Sequence, residues 1–137
     1  MKKKGTINVQ LSRLIAQMGH TDRLVICDSG FPIPRGAEVV DLALTRNIPR
    51  FIDTVKVVLE ELEVESVVVA KEMEGMNKEC HKALMRELGS VGVSTIKKTT
   101  HEDFKRMTLN GGTIAFLRTG EATPFANVIL VSGVTFD

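Results

Sequence analysis

Residues 19–34 have the sequence GHTDRLVICDSGFPIP, and this stretch decides the fold of the chain. Its centre, Leu24–Cys27, is a continuous apolar run, which is typical of a strand that is covered on both faces. The run ends at Asp28, and two prolines, Pro32 and Pro34, then fix the backbone and remove two hydrogen-bond donors. The stretch therefore predicts a buried strand that ends in a rigid loop.

Segments of helical and strand character alternate on both sides of this strand. Some carry apolar residues at helical spacing, whereas runs such as Ser66–Ala70 are rich in the β-branched residues of buried strands. The predicted strands are Leu24–Cys27, Val39–Leu44, Ser66–Ala70, Val93–Lys98, Gly112–Leu117 and Val128–Val131, and the predicted helices are Asn8–Met18, Arg50–Leu62, Asn77–Leu88 and one that begins in Thr99–Asp103. The alternation predicts one α/β domain over residues 1–137, a three-layer α/β/α sandwich with a largely parallel central sheet.

The composition is that of an ordinary globular protein. Of the 137 residues, 43% are hydrophobic and 26% are charged, and the formal net charge is +1. Because this balance gives no electrostatic attraction to nucleic acid or to an anionic membrane, and because the chain has no Trp or Tyr to stack on bases, we expect neither partner. No apolar run approaches the ~18 residues of a membrane span, so we expect a soluble, cytoplasmic protein.

Several kinds of chemistry lose support because their motifs are missing. The two cysteines, Cys27 and Cys80, show no spacing typical of a disulfide framework or a zinc site, so we expect two reduced thiols and no metal. The chain also lacks the phosphate loop, the dinucleotide fingerprint, the HExxH pair and the GxSxG elbow. Nucleotide-dependent, zinc-hydrolytic and serine-hydrolytic functions are therefore disfavoured.

Two histidines and one aspartate are candidates for acid–base chemistry. His20 follows a helix that Gly19 is expected to cap, and the partial negative charge of that helix end favours a protonated ring. His101 lies at a predicted helix N-terminus, where a neutral ring is favoured. Asp28 ends the buried strand at the edge where ligands bind in α/β folds. We expect His20 and Asp28 to face a common pocket and to act on a small molecule.

Each polar candidate also has a structural interpretation. A histidine beside a helix end is often only a capping or surface residue, and Asp28 can initiate a turn by accepting hydrogen bonds from the following amides. Asp41 has the same ambiguity. Asn127 either braces a turn or presents its amide to a ligand, and Glu121 either belongs to a turn or orients a histidine. His81, on the polar face of a helix, is expected to be solvated.

Several short motifs, each weak by itself, occur in order from Met1 to Phe136. They are MKKKGTIN, GHTD, CDSGFPIP, DLALTRNIPRF, TTHEDF, RTGEATPFAN and GVTF. Together they resemble the family of D-ribose pyranases and fucose mutarotases, and the resemblance covers essentially the whole chain. CDSGFPIP and DLALT favour the ribose branch of the family.

The resemblance implies a cytoplasmic enzyme that interconverts the pyranose and furanose forms of D-ribose without a cofactor. It implies that His20 is the proton donor and that the sugar-binding positions are Asp28, His101, Phe125, Ala126 and Asn127. The family commonly has tyrosine where this chain has Phe125, so a phenolic hydroxyl is absent there. The resemblance also implies a ring-shaped homo-oligomer, typically a decamer, in which residues 125–127 complete a neighbouring subunit's pocket.

Three other functions stay open at this point. The chain could be a mutarotase for fucose or another sugar, or a sugar-binding accessory protein without turnover. It could also be a structural α/β domain whose polar residues only cap turns, although the number of ordered motifs disfavours this. Whether Asp28 or His101 accepts the anomeric proton of the sugar is likewise open.

Overall fold

A six-stranded sheet runs through the middle of the molecule, and helices cover both its faces. The computed structural model describes all 137 residues. The strands are β1 (Arg23–Cys27), β2 (Val39–Asp41), β3 (Val64–Ala70), β4 (Ile96–Thr99), β5 (Thr113–Arg118) and β6 (Val128–Ser132). The helices are α1 (Val9–Gln17), α2 (Phe51–Glu61), α3 (Glu72–Met76), α4 (Lys78–Ser90) and α5 (His101–Met107). None of these helices has the length and apolarity needed to cross a membrane.

The strands lie in the order β2-β5-β1-β6-β3-β4. β5 is parallel to both β1 and β2, and β3 is parallel to β4. Only β6 runs the other way, antiparallel to β1 on one side and to β3 on the other. Five strands therefore share one direction, which confirms the predicted α/β fold with a largely parallel sheet.

The buried strand β1 shows why the sheet needs cover on both faces. Leu24 and Ile26 belong to the larger apolar core, to which α1, α2 and α4 contribute side chains. Val25 and Cys27 belong to a smaller cluster on the opposite face, where Phe104 of α5 packs. Because successive strand residues alternate between faces, a run of four buried residues requires two apolar layers. The predicted three-layer sandwich is confirmed.

Two predicted boundaries are wrong for local reasons. The strand predicted over Val39–Leu44 ends at Asp41, whose carboxylate accepts the backbone N–H of Ala43 at 3.0 Å and turns the chain away from the sheet. Gly19 does not cap α1. The helix ends at Gln17, the following residue Met18 is in an extended conformation, and the N–H of Gly19 donates to Asp22.

Two further differences lie around α4. The strand predicted over Val93–Lys98 begins only at Ile96, because the N–H of Val93 donates to Leu88 at the end of the helix. The short helix α3, Glu72–Met76, is absent from the sequence prediction. Its single turn is too short to show helical periodicity, but it places an acidic side chain beside α5.

Candidate functional site

Asp28 and Asn127 form a reciprocal hydrogen-bonded pair at the carboxyl end of β1. The side-chain oxygen of Asn127 accepts the N–H of Asp28 at 2.9 Å, and its side-chain nitrogen donates to Asp28 Oδ2 at 3.1 Å. Asp28 Oδ1 accepts the N–H of Gly30 at 3.0 Å. The two residues meet because β6 is antiparallel to β1, so the start of one strand adjoins the end of the other.

Burial and hydrogen bonding have opposite effects on the pKa of the Asp28 carboxyl. Burial raises its pKa above the ordinary value of 3.8. Hydrogen bonds from Gly30 and Asn127 and the nearby charge of His101 offset this effect only in part. A carboxyl group with a raised pKa is better suited to exchange a proton with a hydroxyl group of a ligand near neutral pH.

His101 is positioned by helix α5, of which it is the first residue. Thr100 caps the helix by accepting the N–H of Asp103 at 3.1 Å. The carboxylate of Glu72 accepts the N–H of His101 at 2.9 Å. The His101 ring packs edge-on against Phe125, with 5.0 Å between ring centroids. Its Nδ1 atom is buried and has no hydrogen-bond partner within the chain.

Residues 125–127 lie beside Asp28 and His101: the Phe125 ring packs against His101, and the Asn127 amide binds Asp28. Phe125 has a left-handed conformation with φ of 59°, and its carbonyl accepts the N–H of Asn127 at 2.9 Å. Ala126 is fully buried, and its methyl group belongs to the larger core. The structure thus brings Asp28, His101 and residues 125–127 together within one chain.

An open cleft of about 450 Å³ lies beside Asp28. Its remaining lining residues are Ser29, Gly30, Glu121, Ala122, Thr123 and Pro124. The carbonyl of Glu121 accepts both the N–H of Ser29 at 2.9 Å and its hydroxyl at 3.0 Å. One wall of the cleft is therefore the turn after β1, and the other is the loop between β5 and β6.

His20 lies away from this cleft, so within one chain His20 and Asp28 do not face a common pocket. His20 precedes β1, whereas Asp28 follows it, and a strand of five residues separates its two ends by roughly 16 Å. The Nε2 atom of His20 instead lies 2.8 Å from Glu65 Oε2, and the ring is 53% exposed. Within one chain, residues 125–127 adjoin Asp28, and it is His20 that stands apart.

Two other expectations also fail. Glu121 does not orient a histidine, because its carboxylate accepts hydrogen bonds from Arg50, from the N–H of Phe51 and from Thr123. His81 is not a solvated surface residue. It is half-buried, and its Nε2 atom is buried without a hydrogen-bond partner.

Sequence reasoning missed three residues that support the site. Glu72 holds the first amide of α5, Asn77 donates to Thr123 and to the carbonyl of Pro124, and Arg118 donates twice to the carbonyl of Ser29. Only the arginine lies in one of the quoted motifs, RTGEATPFAN. The contacts of the other two span 29 to 47 residues of sequence, and no local pattern marks such pairs.

The structure offers hydrogen-bonding groups and no metal-binding cluster. No group of three or more His, Cys, Asp or Glu side chains is placed to hold a metal ion. Both cysteines are free, and burial raises the pKa of Cys27 and of Cys80 to about 12. Neither thiol is therefore prepared to act as a nucleophile at neutral pH.

Comparison with known proteins assigns the chain to a family. The model of the RbsD / FucU transport protein family matches residues 1–135. The chain belongs to this family. A D-ribose pyranase from Coprothermobacter proteolyticus is 51% identical over 136 residues, which cover 99% of this chain and 100% of that protein. The resemblance inferred from the ordered motifs is thereby confirmed.

Solved structures of family members share the fold. The structure of Bacillus subtilis RbsD complexed with D-ribose is 42% identical, with a TM-score of 0.91, and covers 99% of this chain and 100% of that chain. The fucose mutarotase from Streptococcus pneumoniae in complex with L-fucose is 22% identical, with a TM-score of 0.80 and 95% coverage of both chains. The second likeness concerns the fold alone.

Proposed function

We propose that this protein is a D-ribose pyranase, an isomerase that interconverts the pyranose and furanose forms of D-ribose by ring opening and reclosure. The observation that carries the proposal is the Asp28–Asn127 pair beside His101, in a chain that is 51% identical over its length to a D-ribose pyranase. A carboxyl and an imidazole can bind several sugar hydroxyls at once, and the buried amide holds the carboxyl in place.

The chemistry requires only proton transfers, two in ring opening and two in reclosure. In opening, the anomeric hydroxyl loses a proton while the ring oxygen gains one. In reclosure, a different hydroxyl attacks the carbonyl carbon and loses its proton while the carbonyl oxygen gains one. A reaction that runs in minutes unaided has a barrier of roughly 21 kcal/mol. Positioned acid–base groups contribute about 10²–10⁴-fold, which is sufficient for such a step. In this scheme Asp28 accepts the anomeric proton, His101 orients a hydroxyl, the buried Asn127 positions the Asp28 carboxyl, and His20 protonates the ring oxygen.

Because His20 and Asp28 lie at opposite ends of β1, we propose that His20 reaches the cleft of a neighbouring subunit. The functional unit is then a homo-oligomer, in our proposal a ring-shaped decamer, with each site assembled from two chains. Glu65 Oε2 lies 2.8 Å from His20 Nε2, and in our proposal this contact orients the imidazole toward the neighbouring subunit. We also propose a cytoplasmic location, which two free cysteines without a disulfide support.

The test is magnetisation-transfer NMR on D-ribose with the wild-type protein and with His20→Ala. We expect the wild type to accelerate pyranose–furanose exchange and His20→Ala to lose about 10²–10⁴-fold of that acceleration. Glu60→Ala, at an exposed position on α2, serves as the control. A wild type that does not accelerate the exchange would overturn the proposal, and full activity of His20→Ala would remove His20 from the donor role.

The same assay separates the competing functions. Repeating it with L-fucose distinguishes a fucose mutarotase, which would accelerate exchange of that sugar in preference to ribose. A sugar-binding accessory protein would bind ribose without changing its exchange rate, and its affinity would survive His20→Ala.

A further inference from the structure

Glu121 is a buried acid that the proposed mechanism does not use. Its side chain is only 5% exposed, although it lies in the loop between β5 and β6. Oε1 accepts the N–H of Phe51 at 3.0 Å, at the first turn of α2. Oε2 accepts Arg50 Nη2 at 3.1 Å and the hydroxyl of Thr123 at 2.8 Å. The carboxylate is thus turned toward α2, not toward Asp28.

The backbone of the same residue reaches the other wall of the cleft. The carbonyl of Glu121 accepts the N–H and the hydroxyl of Ser29, the neighbour of Asp28. One residue therefore ties three parts of the molecule together: the turn after β1, the start of α2, and Thr123 in the loop that leads to Asn127.

The rest of the loop is fixed around this point. A side chain cannot replace the hydrogen of Gly120, because a Cβ there would lie 2.6 Å from the carbonyl oxygen of Thr45. Farther along, Asn77 donates to the hydroxyl of Thr123 at 2.9 Å and to the carbonyl of Pro124 at 2.8 Å. The loop has no helix or strand of its own, so these hydrogen bonds define its conformation.

The groups around Glu121 stabilise its ionised carboxylate. Arg50 is the cation that pairs with it, and Cys80 of α4 is the other titratable group that faces it. Burial raises the pKa of Glu121, but hydrogen bonds from Arg50, Phe51 and Thr123 outweigh burial and hold the pKa below its ordinary value of 4.5. The carboxylate is therefore ionised at neutral pH.

We infer that Glu121 is a positioning residue of the sugar site: its carboxylate, held by Arg50, the N–H of Phe51 and Thr123, fixes the loop that presses Asn127 against Asp28. It acts on the reaction through Asn127 and does not touch the reacting atoms. The inference rests on the proposed function for its consequence in turnover, but the geometry of the Asp28–Asn127 pair can be measured without turnover.

The decisive variant is Glu121→Gln, which keeps the shape of the side chain and removes its charge. Its amide N–H₂ would have to face the N–H of Phe51 or the guanidinium of Arg50, so at least one donor loses its acceptor. We expect the loop to loosen and the exchange rate to fall by up to about 100-fold. Glu121→Asp, which keeps the charge, should recover part of this loss. Glu38→Gln, which breaks the surface pair with Arg13, is the matched control.

The readout that does not depend on turnover is the titration of the Asp28 carboxyl, followed by carboxyl-carbon NMR. If Glu121 positions Asn127, Glu121→Gln weakens the Asn127 hydrogen bond and raises the pKa of Asp28, whereas Glu38→Gln leaves it unchanged. Should Glu121→Gln not fold, Thr123→Val removes one hydrogen bond of the same carboxylate and is expected to shift the titration in the same direction. If the folded variants have the same Asp28 pKa as the wild-type protein, the inference is overturned. If the wild-type protein does not accelerate the exchange, only the proposed function is overturned.

Discussion

Asn127 shows how much of the site depends on one side chain. It is fully buried, and both ends of its amide are used on Asp28. A shorter side chain could not bridge the backbone and the carboxylate of Asp28 simultaneously. An aspartate in its place would set two carboxylates against each other.

The first prediction concerns Asn127→Ala. The N–H of Asp28 then loses its acceptor, which we expect to lower the free energy of unfolding by about 1–3 kcal/mol. The carboxyl of Asp28 also loses a hydrogen bond that lowers its pKa, so its pKa rises further. Because Asp28 must be ionised to accept a proton, the acidic limb of the pH–rate profile moves to higher pH. Urea denaturation and exchange rates measured against pH check both effects, with Asn110→Ala at an exposed position as control.

The second prediction concerns the cysteines. With pKa values of about 12 in place of 9.0, Cys27 and Cys80 carry roughly a thousandfold less thiolate at pH 8 than free cysteine does. Iodoacetamide should therefore leave both unmodified in the native protein and alkylate both in urea, as mass spectrometry would show. Rapid native alkylation of either residue would contradict the burial of its thiol.

At the level of residues, the sequence predicted those that lie in motifs and missed those that act at a distance. Asp28 and His101 were placed by a strand end and a helix start, which are local patterns, and the structure brings them together. Glu72 and Glu121 were missed or misassigned, since their partners are 29 and 70 residues away in sequence. The sequence did not show that His20 and Asp28 are apart within one chain, where β1 separates the two residues.

Among the elements, α5 is the short helix that begins with the candidate site residue His101. It has seven residues, too few for intrinsic helical stability, so its first turn depends on capping. Thr100 supplies the side-chain cap, and Glu72 accepts the amide of His101. A helix secured at this end fixes the ring of His101 against Phe125.

The third prediction follows from that cap. Thr100→Ala should lower the free energy of unfolding by about 1 kcal/mol and reduce the exchange rate, because the first turn of α5 frays and His101 moves with it. Thr95→Ala, at an exposed position outside the helices and strands, is the matched control. Chemical denaturation and NMR exchange measure the two effects. An unchanged His101 environment in Thr100→Ala would show that Glu72 alone holds the helix start.

The presence of most helices and strands could be predicted from the sequence, whereas the residues at which they begin and end were harder to predict. Buried runs such as Leu24–Cys27 indicate strands because a strand that is covered on both faces buries consecutive residues, and the run is too short for a helix. The end of β2 could not be predicted, since it depends on Asp41 accepting a neighbouring amide. The position of β6 between β1 and β3 is a property of the whole sheet that no local pattern encodes.

On the scale of the whole molecule, the separation of His20 from Asp28 makes assembly the central question. If each site combines His20 of one subunit with Asp28 of another, two inactive variants can complement each other. The fourth prediction is that His20→Ala and Asp28→Asn, unfolded and reassembled as a mixture, recover activity, because about a quarter of the mixed sites carry both native residues. Sedimentation would establish the size of the assembly. No recovery in verified mixed oligomers would contradict a shared site.

The place of β6 has a consequence for how the protein is made. It is the last strand in chain order, yet it lies between β1 and β3, so the blocks β2-β5-β1 and β3-β4 share no backbone pairing until it arrives. Two half-sheets that form before β6 is added would each have an open edge, and open edges favour aggregation. Since Asn127 immediately precedes β6, the same insertion that joins the halves also completes the Asp28 pair. The Asp28–Asn127 pair therefore forms only after β6 has joined the sheet.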